Sequence, residues 1–209
     1  MIVRETPFEN MVSEMEARYQ SFFSDEMYRI EPSPLPAAGD TNAPVELTVY
    51  FNASCPQCKD VILPLYYIVT HDGALQGKAR LVVKPFSVSL GNRALASAAA
   101  FGKFWKYFEA LAGVKQRLNK GILLGLAQEV GIPVLAFTSL LNDEMLRKTL
   151  EKSYVEARQN GVRMTPTIFV NNRRYGSYKD AVWLVDAVEV ELLNWSTGGN
   201  FRSGMEHKE

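Results

Sequence analysis

One stretch constrains the fold of this chain more than any other. In "VELTVYFNASCPQCKDVILPLYY" (Val45 to Tyr67) a β-branched, aromatic strand pattern runs directly into a helical one. The strand is expected over Val45 to Asn52 and the helix from Pro56 to about Thr70. Cys55 and Cys58, the chain's two cysteines, sit at that junction. Two cysteines three residues apart cannot form a framework that staples a fold, so they must be read locally. They are a redox couple, half of a metal site, or two inert buried thiols.

Pro56 takes the first helical position, where its missing N–H costs nothing. A Cys55 sulfur just before it faces the unpaired N–H groups and positive dipole end of the first turn. Both favour the reactive thiolate. Cys58 lies inside that turn, shielded by the helix and within reach of a disulfide. Cys55 is then the sulfur that attacks or is attacked, and Cys58 the one that resolves the mixed disulfide. Zinc would need two further ligands, and the only histidines are His71 and His207. No metal site is therefore expected. Inert thiols would leave the proline and the strand–helix junction as coincidence.

Composition narrows the partners. The 209 residues carry 23 Lys plus Arg against 23 Asp plus Glu, so the chain lacks the positive excess of a nucleic-acid binder or polybasic membrane module. No apolar run approaches the roughly 18 residues that span a bilayer. The start, "MIVRETPFENMVSEMEARYQ", has no secretory pattern. As written, the chain is expected in the cytoplasm, or in the periplasm if an export signal has been trimmed away.

Along the chain, residues 6–29 read as a helix with a heptad-like seam of Phe8, Val12, Met15, Tyr19 and Phe22. That seam either docks on the protein's own core or forms a homodimer contact. "IEPSPLPAAGDTNAP" (Ile30 to Pro44) reads as a linker, and "ARLVVKPFSV" (Ala79 to Val88) as a second strand covered on both faces. From Gly91 to about Asn160 only helices are expected. Phe101, Phe104, Trp105 and Phe108 fall there at helical spacing, as core packing or as a peptide-contacting surface. "TIFVNNRRYGS" (Thr167 to Ser177) reads as a hairpin about an Asn-Asn turn. A closing helix puts Val182, Val185, Val188, Leu192 and Trp195 on one side, and a polar tail follows.

A second motif joins the first. "GVRMTPTIFVNN" (Gly161 to Asn172) places Thr165-Pro166 at the entry to a strand, where a proline needs a special position. With "FNASCPQC", "GKFWKYFEAL", "LAQEVGI" and the order of elements, the chain resembles the DsbA-like disulfide oxidoreductases of the thioredoxin superfamily, over roughly Ala43 to Trp195. The resemblance implies an α/β thioredoxin-like fold with an inserted helical domain and an N-terminal helical extension. The expected parts are residues 1–42 (helix and linker), 43–90 and 161–195 (thioredoxin-like), 91–160 (inserted helices) and 196–209 (disordered tail). It also implies a cis Thr165-Pro166 bond beside the cysteines. Thr165 would then offer backbone to an extended substrate, and Pro166 would keep the site open.

Some positions depart from the family. Pro56-Gln57 stands between the cysteines where strongly oxidising relatives carry a histidine, so Pro56 and Gln57 should tune the pair away from the oxidising end of the range from about −270 to −120 mV. Six residues before Cys55, where relatives often bury an acid, this chain has Val49, and Glu46 should face the opposite side of the strand. Met164 replaces a small residue and adds apolar surface for a substrate. The expected activity is thiol–disulfide exchange with protein or peptide thiols and disulfides and with a separate redox partner, using no cofactor. Two alternatives stand beside it. One is a kappa-type glutathione-dependent transferase or isomerase, against which Cys58 argues. The other is a non-enzymatic, chaperone-like dimer.

Overall fold

The computed structural model describes residues 7–177 and 180–196, with side chains of the first helix from Ser13 onward. The polar tail expected at 196–209 lies outside the described residues apart from Ser196, and so does His207. Helix α1 (Pro7–Phe22) leads into strands β1 (Phe23–Met27), β2 (Ala38–Gly39) and β3 (Val45–Phe51). Helix α2 (Pro56–Thr70) then returns the chain to β4 (Ala79–Pro85). Five helices follow without a strand: α3 (Leu90–Ala100), α4 (Phe104–Ala112), α5 (Lys120–Glu129), α6 (Val134–Leu141) and α7 (Glu144–Gln159). Strands β5 (Thr167–Val170) and β6 (Arg173–Tyr175) and helix α8 (Ala181–Ser196) close the chain. None of the described helices is long and apolar enough to cross a membrane.

The sheet runs β1-β6-β5-β3-β4-β2. Only β3 and β4 are parallel, which is why a whole helix must connect them. Residues alternate across β3, and each face has its own cover. Val45, Leu47, Val49 and Phe51 are fully buried with Ile62 and Leu65 of α2 and Leu184 and Val188 of α8. Tyr50 turns the other way, to Ala157, Val162 and Phe169. On this second side Lys84 and Glu156 form an ion pair at 2.6 Å, with side-chain exposures of only 2% and 13%. Glu156 also accepts from the Tyr50 hydroxyl at 3.1 Å and from the Glu31 N–H at 2.9 Å, while Lys84 donates to the Glu31 carbonyl. One buried charge pair thus bolts the inserted helices, the sheet and the N-terminal arm together.

The hairpin turns as expected, with Asn171 and Asn172 at φ 44° and 65°, the left-handed pair that a two-residue connection requires. Phe104 and Phe108 are core residues, the latter edge-on to Phe51 at 5.9 Å between ring centroids.

Three expectations are corrected. The helix expected over 6–29 ends at Phe22, and Phe23–Met27 is a strand paired with β6. Helical periodicity loses there to an open sheet edge: Phe22 accepts from the Gly176 N–H at 2.9 Å, and the rings of Phe22 and Phe23 pack on Tyr175. Of the seam, Met15, Tyr19 and Phe22 serve the chain's own core, while the side chains of Phe8 and Val12 lie outside the described residues. The linker at Ile30 to Pro44 is a packed segment. It contributes β2 against β4 and buries Leu35 and Ala38, and its Ser33 hydroxyl donates to the Val83 carbonyl at 2.6 Å. Finally, the expected apolar side of α8 is split: Val188 is buried and Val185 and Leu192 pack half-buried against the core, but Val182 and Trp195 face out, at 74% and 65% exposure. The buried side carries Leu184, Ala187, Val188, Glu191 and Asn194. Two polar residues sit inside because Glu191 accepts from the Asn171 side chain at 2.9 Å, fastening the helix to the hairpin turn.

Candidate active site

The site is assembled at the C-terminal end of β3. Asn52 ends the strand and folds the chain back: its carbonyl accepts from the Cys55 N–H at 2.9 Å and its side-chain oxygen from the Ser54 N–H at 3.1 Å. Ala53 is held from the inserted helices, where the buried Asn92 accepts its N–H at 2.8 Å and donates to Ser87. Gly91 lies so close that a Cβ there would meet the Ala53 Cβ at 2.8 Å. Cys55 thereby becomes the N-cap of α2, in extended backbone, with Pro56 at the first helical position.

Its sulfur accepts the Cys58 N–H at 3.3 Å, one of the orphan donors of the first turn. It also donates to the Thr165 carbonyl at 3.6 Å, which brings the second motif onto the first. The Thr165-Pro166 bond is cis. The Thr167 hydroxyl donates to the Met164 carbonyl at 2.7 Å and tethers the loop, and Met164 itself is 63% exposed. Cys55 is half-buried, Pro56 and Gln57 are exposed, and Cys58 is fully enclosed. Both sulfurs are free thiols.

Electrostatics separate the two cysteines. Burial first, and then its hydrogen bond with Cys55, push the Cys58 thiol up to about 12, against smaller opposing effects from Asn52 and Thr165. Folding therefore favours the protonated thiol. That contribution to stability is complete below the ordinary thiol value of 9.0 and is lost as pH rises through about 12. The reduced protein should weaken across this alkaline window in denaturant titrations, and Cys58→Ala should flatten the loss. Below this window, at mildly acid pH, alkylation with mass mapping should label Cys55 long before Cys58. Equal labelling would overturn the assignment of roles.

Of the residues expected here, the turn of Cys55, Pro56, Gln57 and Cys58 meets the loop of Met164, Thr165 and Pro166 at the Cys55 sulfur, with Cys58 enclosed behind it. Val49 is buried at the sheet, and Glu46, on the opposite side, pairs with Arg80 at the other end of β3. His71 caps the far end of α2. Among the described residues no three His, Cys, Asp or Glu side chains gather to hold a metal. A cavity of about 590 Å³, lined in part by Pro44, Glu46, Arg80 and Trp195, lies at the end of the sheet away from the sulfurs.

Asn92 and Lys59 were not expected as site residues. Asn92 had no signal in an alanine-rich helix. Lys59 follows the second cysteine directly, but nothing in its neighbours shows where its ammonium goes. It crosses to the inserted helices and donates to the carbonyls of Leu111 at 3.1 Å and Val114 at 3.3 Å. Burial holds it below the usual lysine range, while Asp60 and the Cys55 sulfur act in the opposite sense.

A central sheet with a parallel βαβ unit, a cysteine pair capping the crossover helix and a cis-proline beside it define a thioredoxin-like fold, here with five helices inserted between β4 and β5. The chain belongs to the thioredoxin family, whose model matches residues 33–189. Its architecture is DsbA-like. It superposes on BdbD from Bacillus subtilis with a TM-score of 0.68, at 22% identity over 80% of this chain and 99% of that one. A thioredoxin-like oxidoreductase from Silicibacter pomeroyi gives 0.66 at 23% identity, covering 77% of this chain and 93% of that one. DsbA from Chlamydia trachomatis gives 0.64 at 18% identity, covering 80% and 98%. By sequence the chain also matches part of two Na(+)/H(+) antiporters. The protein from Herminiimonas arsenicoxydans is 32% identical over 90 residues, 43% of this chain. That from Salinispora arenicola is 26% identical over 159 residues, 74% of this chain. The chain spans only 14% and 24% of the length of those proteins.

Proposed function

We propose that this protein exchanges disulfides with protein substrates through Cys55 and Cys58. The observation that carries the reading is the pairing of a reachable sulfur with an enclosed one at a single helix N-terminus, 3.3 Å from the Cys58 N–H to Cys55. In the reducing direction the Cys55 thiolate attacks a substrate disulfide, forming a mixed disulfide and releasing one substrate thiolate. The Cys58 thiol gives up its proton and attacks the Cys55 sulfur. The Cys55–Cys58 bond forms, the mixed disulfide breaks, and the second substrate thiolate leaves. Two electrons pass to the substrate, and the two thiolates released take up protons. The oxidising direction is the reverse, and a separate dithiol or disulfide partner resets the pair. Neither metal nor organic cofactor enters this balance.

In this reading Pro56 and Gln57 tune the pair, and Gln57 brings no ionisable group to the Cys55 sulfur. Met164 offers an exposed thioether to the apolar part of a substrate. Thr165 presents backbone to an extended segment, and Pro166 keeps that edge clear. The test is turnover of an insulin-like disulfide substrate in the presence of a small dithiol. The native protein should turn over and Cys55→Ser should not. Undiminished turnover in Cys55→Ser would sink the reading.

A further inference from the structure

Beside Cys55 lies a second recess, of about 440 Å³, that the exchange chemistry does not use. Ser54 and Pro56, the residues on either side of Cys55, form one rim, and Lys59, Lys115 and Arg117 contribute its charge. None of Met164, Thr165 and Pro166 lines it, so it is separate from the strand-pairing edge. We propose that this recess receives a glutamate or aspartate side chain of the substrate polypeptide flanking its reacting cysteine, and so makes the protein selective for acidic substrate segments. The inference rests on the exchange reading and adds the class of substrate.

The charge is local. The whole chain balances 23 basic against 23 acidic residues, yet no carboxylate lines this recess. Among the described residues neither Lys115 nor Arg117 is ion-paired. Asp60, adjacent to Lys59 in sequence, stays outside the lining. Lys59 is fixed rather than waving: its ammonium gives two N–H groups to the Leu111 and Val114 carbonyls, which pins the base of the connection that carries Lys115 and Arg117. An ammonium has three donors, so one remains, on a partly buried positive charge that forms no ion pair among the described residues; the Asp60 carboxylate acts on it from outside the lining. The apolar remainder of the wall, Leu90, Val114 and Leu118, suits the methylene stem of an acidic side chain. Ser54 and Pro56, the sequence neighbours of Cys55, line this recess, so it lies within reach of residues that flank a cysteine joined to Cys55.

The experiment follows the reduced protein reacting with symmetric peptide disulfides whose cysteine is flanked by Glu, by Gln or by Lys, at low ionic strength. The Glu peptide should react about fivefold faster than the Lys peptide, as two or three exposed or partly buried charge pairs allow. Raising the salt should shrink that ratio. The double variant K115Q/R117Q should lose most of it while its rate with the Gln peptide stays native. Equal rates for Glu and Lys peptides, or a preference that survives in the double variant, would overturn the proposal and leave the exchange reading intact. A preference confined to glutathione disulfide would also overturn it, in favour of a small thiol. No reaction with any peptide would remove the exchange reading and this inference together.

Discussion

Cys58→Ser is expected to arrest the protein at the mixed disulfide, with near-complete loss of multiple turnover and accumulation of one substrate-linked chain per molecule. The geometry argues for this outcome over simple inactivation. Cys55 keeps its place when Cys58 changes, because it is held by the Asn52 carbonyl and by the Cys58 backbone N–H, which a serine retains. Attack on an incoming disulfide is therefore preserved. Resolution is not, because the only other thiol in the chain is gone and a serine hydroxyl cannot form the internal disulfide. The high thiol value of Cys58, about 12, fits this role: it stays protonated at neutral pH and gives up its proton only in attacking the mixed disulfide, whose departing substrate thiolate takes one up. Non-reducing gels and intact mass should show adducts that vanish with reductant. Equal trapping by Cys55→Ser would reverse the assignment.

The second large effect lies away from the sulfurs. Lys84→Met should destabilise the fold by about 3–5 kcal/mol, because it leaves the enclosed Glu156 carboxylate without its cation. Tyr50 and the Glu31 N–H would still donate to that carboxylate but cannot neutralise it. Adding Glu156→Gln should recover part of the loss, since a neutral amide can keep those donors without carrying a charge. Denaturant midpoints of the two variants against the native chain give the comparison. A loss in Lys84→Met below about 1 kcal/mol, the range of a surface pair, would show that the bolt carries no weight.

These two predictions draw on different layers of information. The cysteine site was legible in the linear chain because its geometry is local. A strand, a cysteine cap, a proline and a second cysteine within eight residues of Phe51 leave little freedom in where the sulfurs point. The hairpin was legible for the same reason, since two asparagines readily take the left-handed backbone that a tight turn needs.

What the amino-acid order determined by itself was the set of local pieces: β3 into α2, the Cys55–Cys58 cap, the helical run from α3 to α7 and the Asn171-Asn172 turn. Only the tertiary structure decided where unlike pieces meet. It turned Phe23–Met27 from a continued helix into a strand, because β6 offered an unpaired edge. It rotated α8 to bury Glu191 and Asn194, because Asn171 waited there as a partner. It sent Lys59 to the end of α4 and placed Glu156 on Lys84, across 52 and 72 residues of chain respectively (111 − 59 and 156 − 84). Hydrophobic periodicity records which side of an element is apolar. It does not record which distant polar group will satisfy another, and that is settled only when desolvation forces each buried donor and acceptor to find its partner.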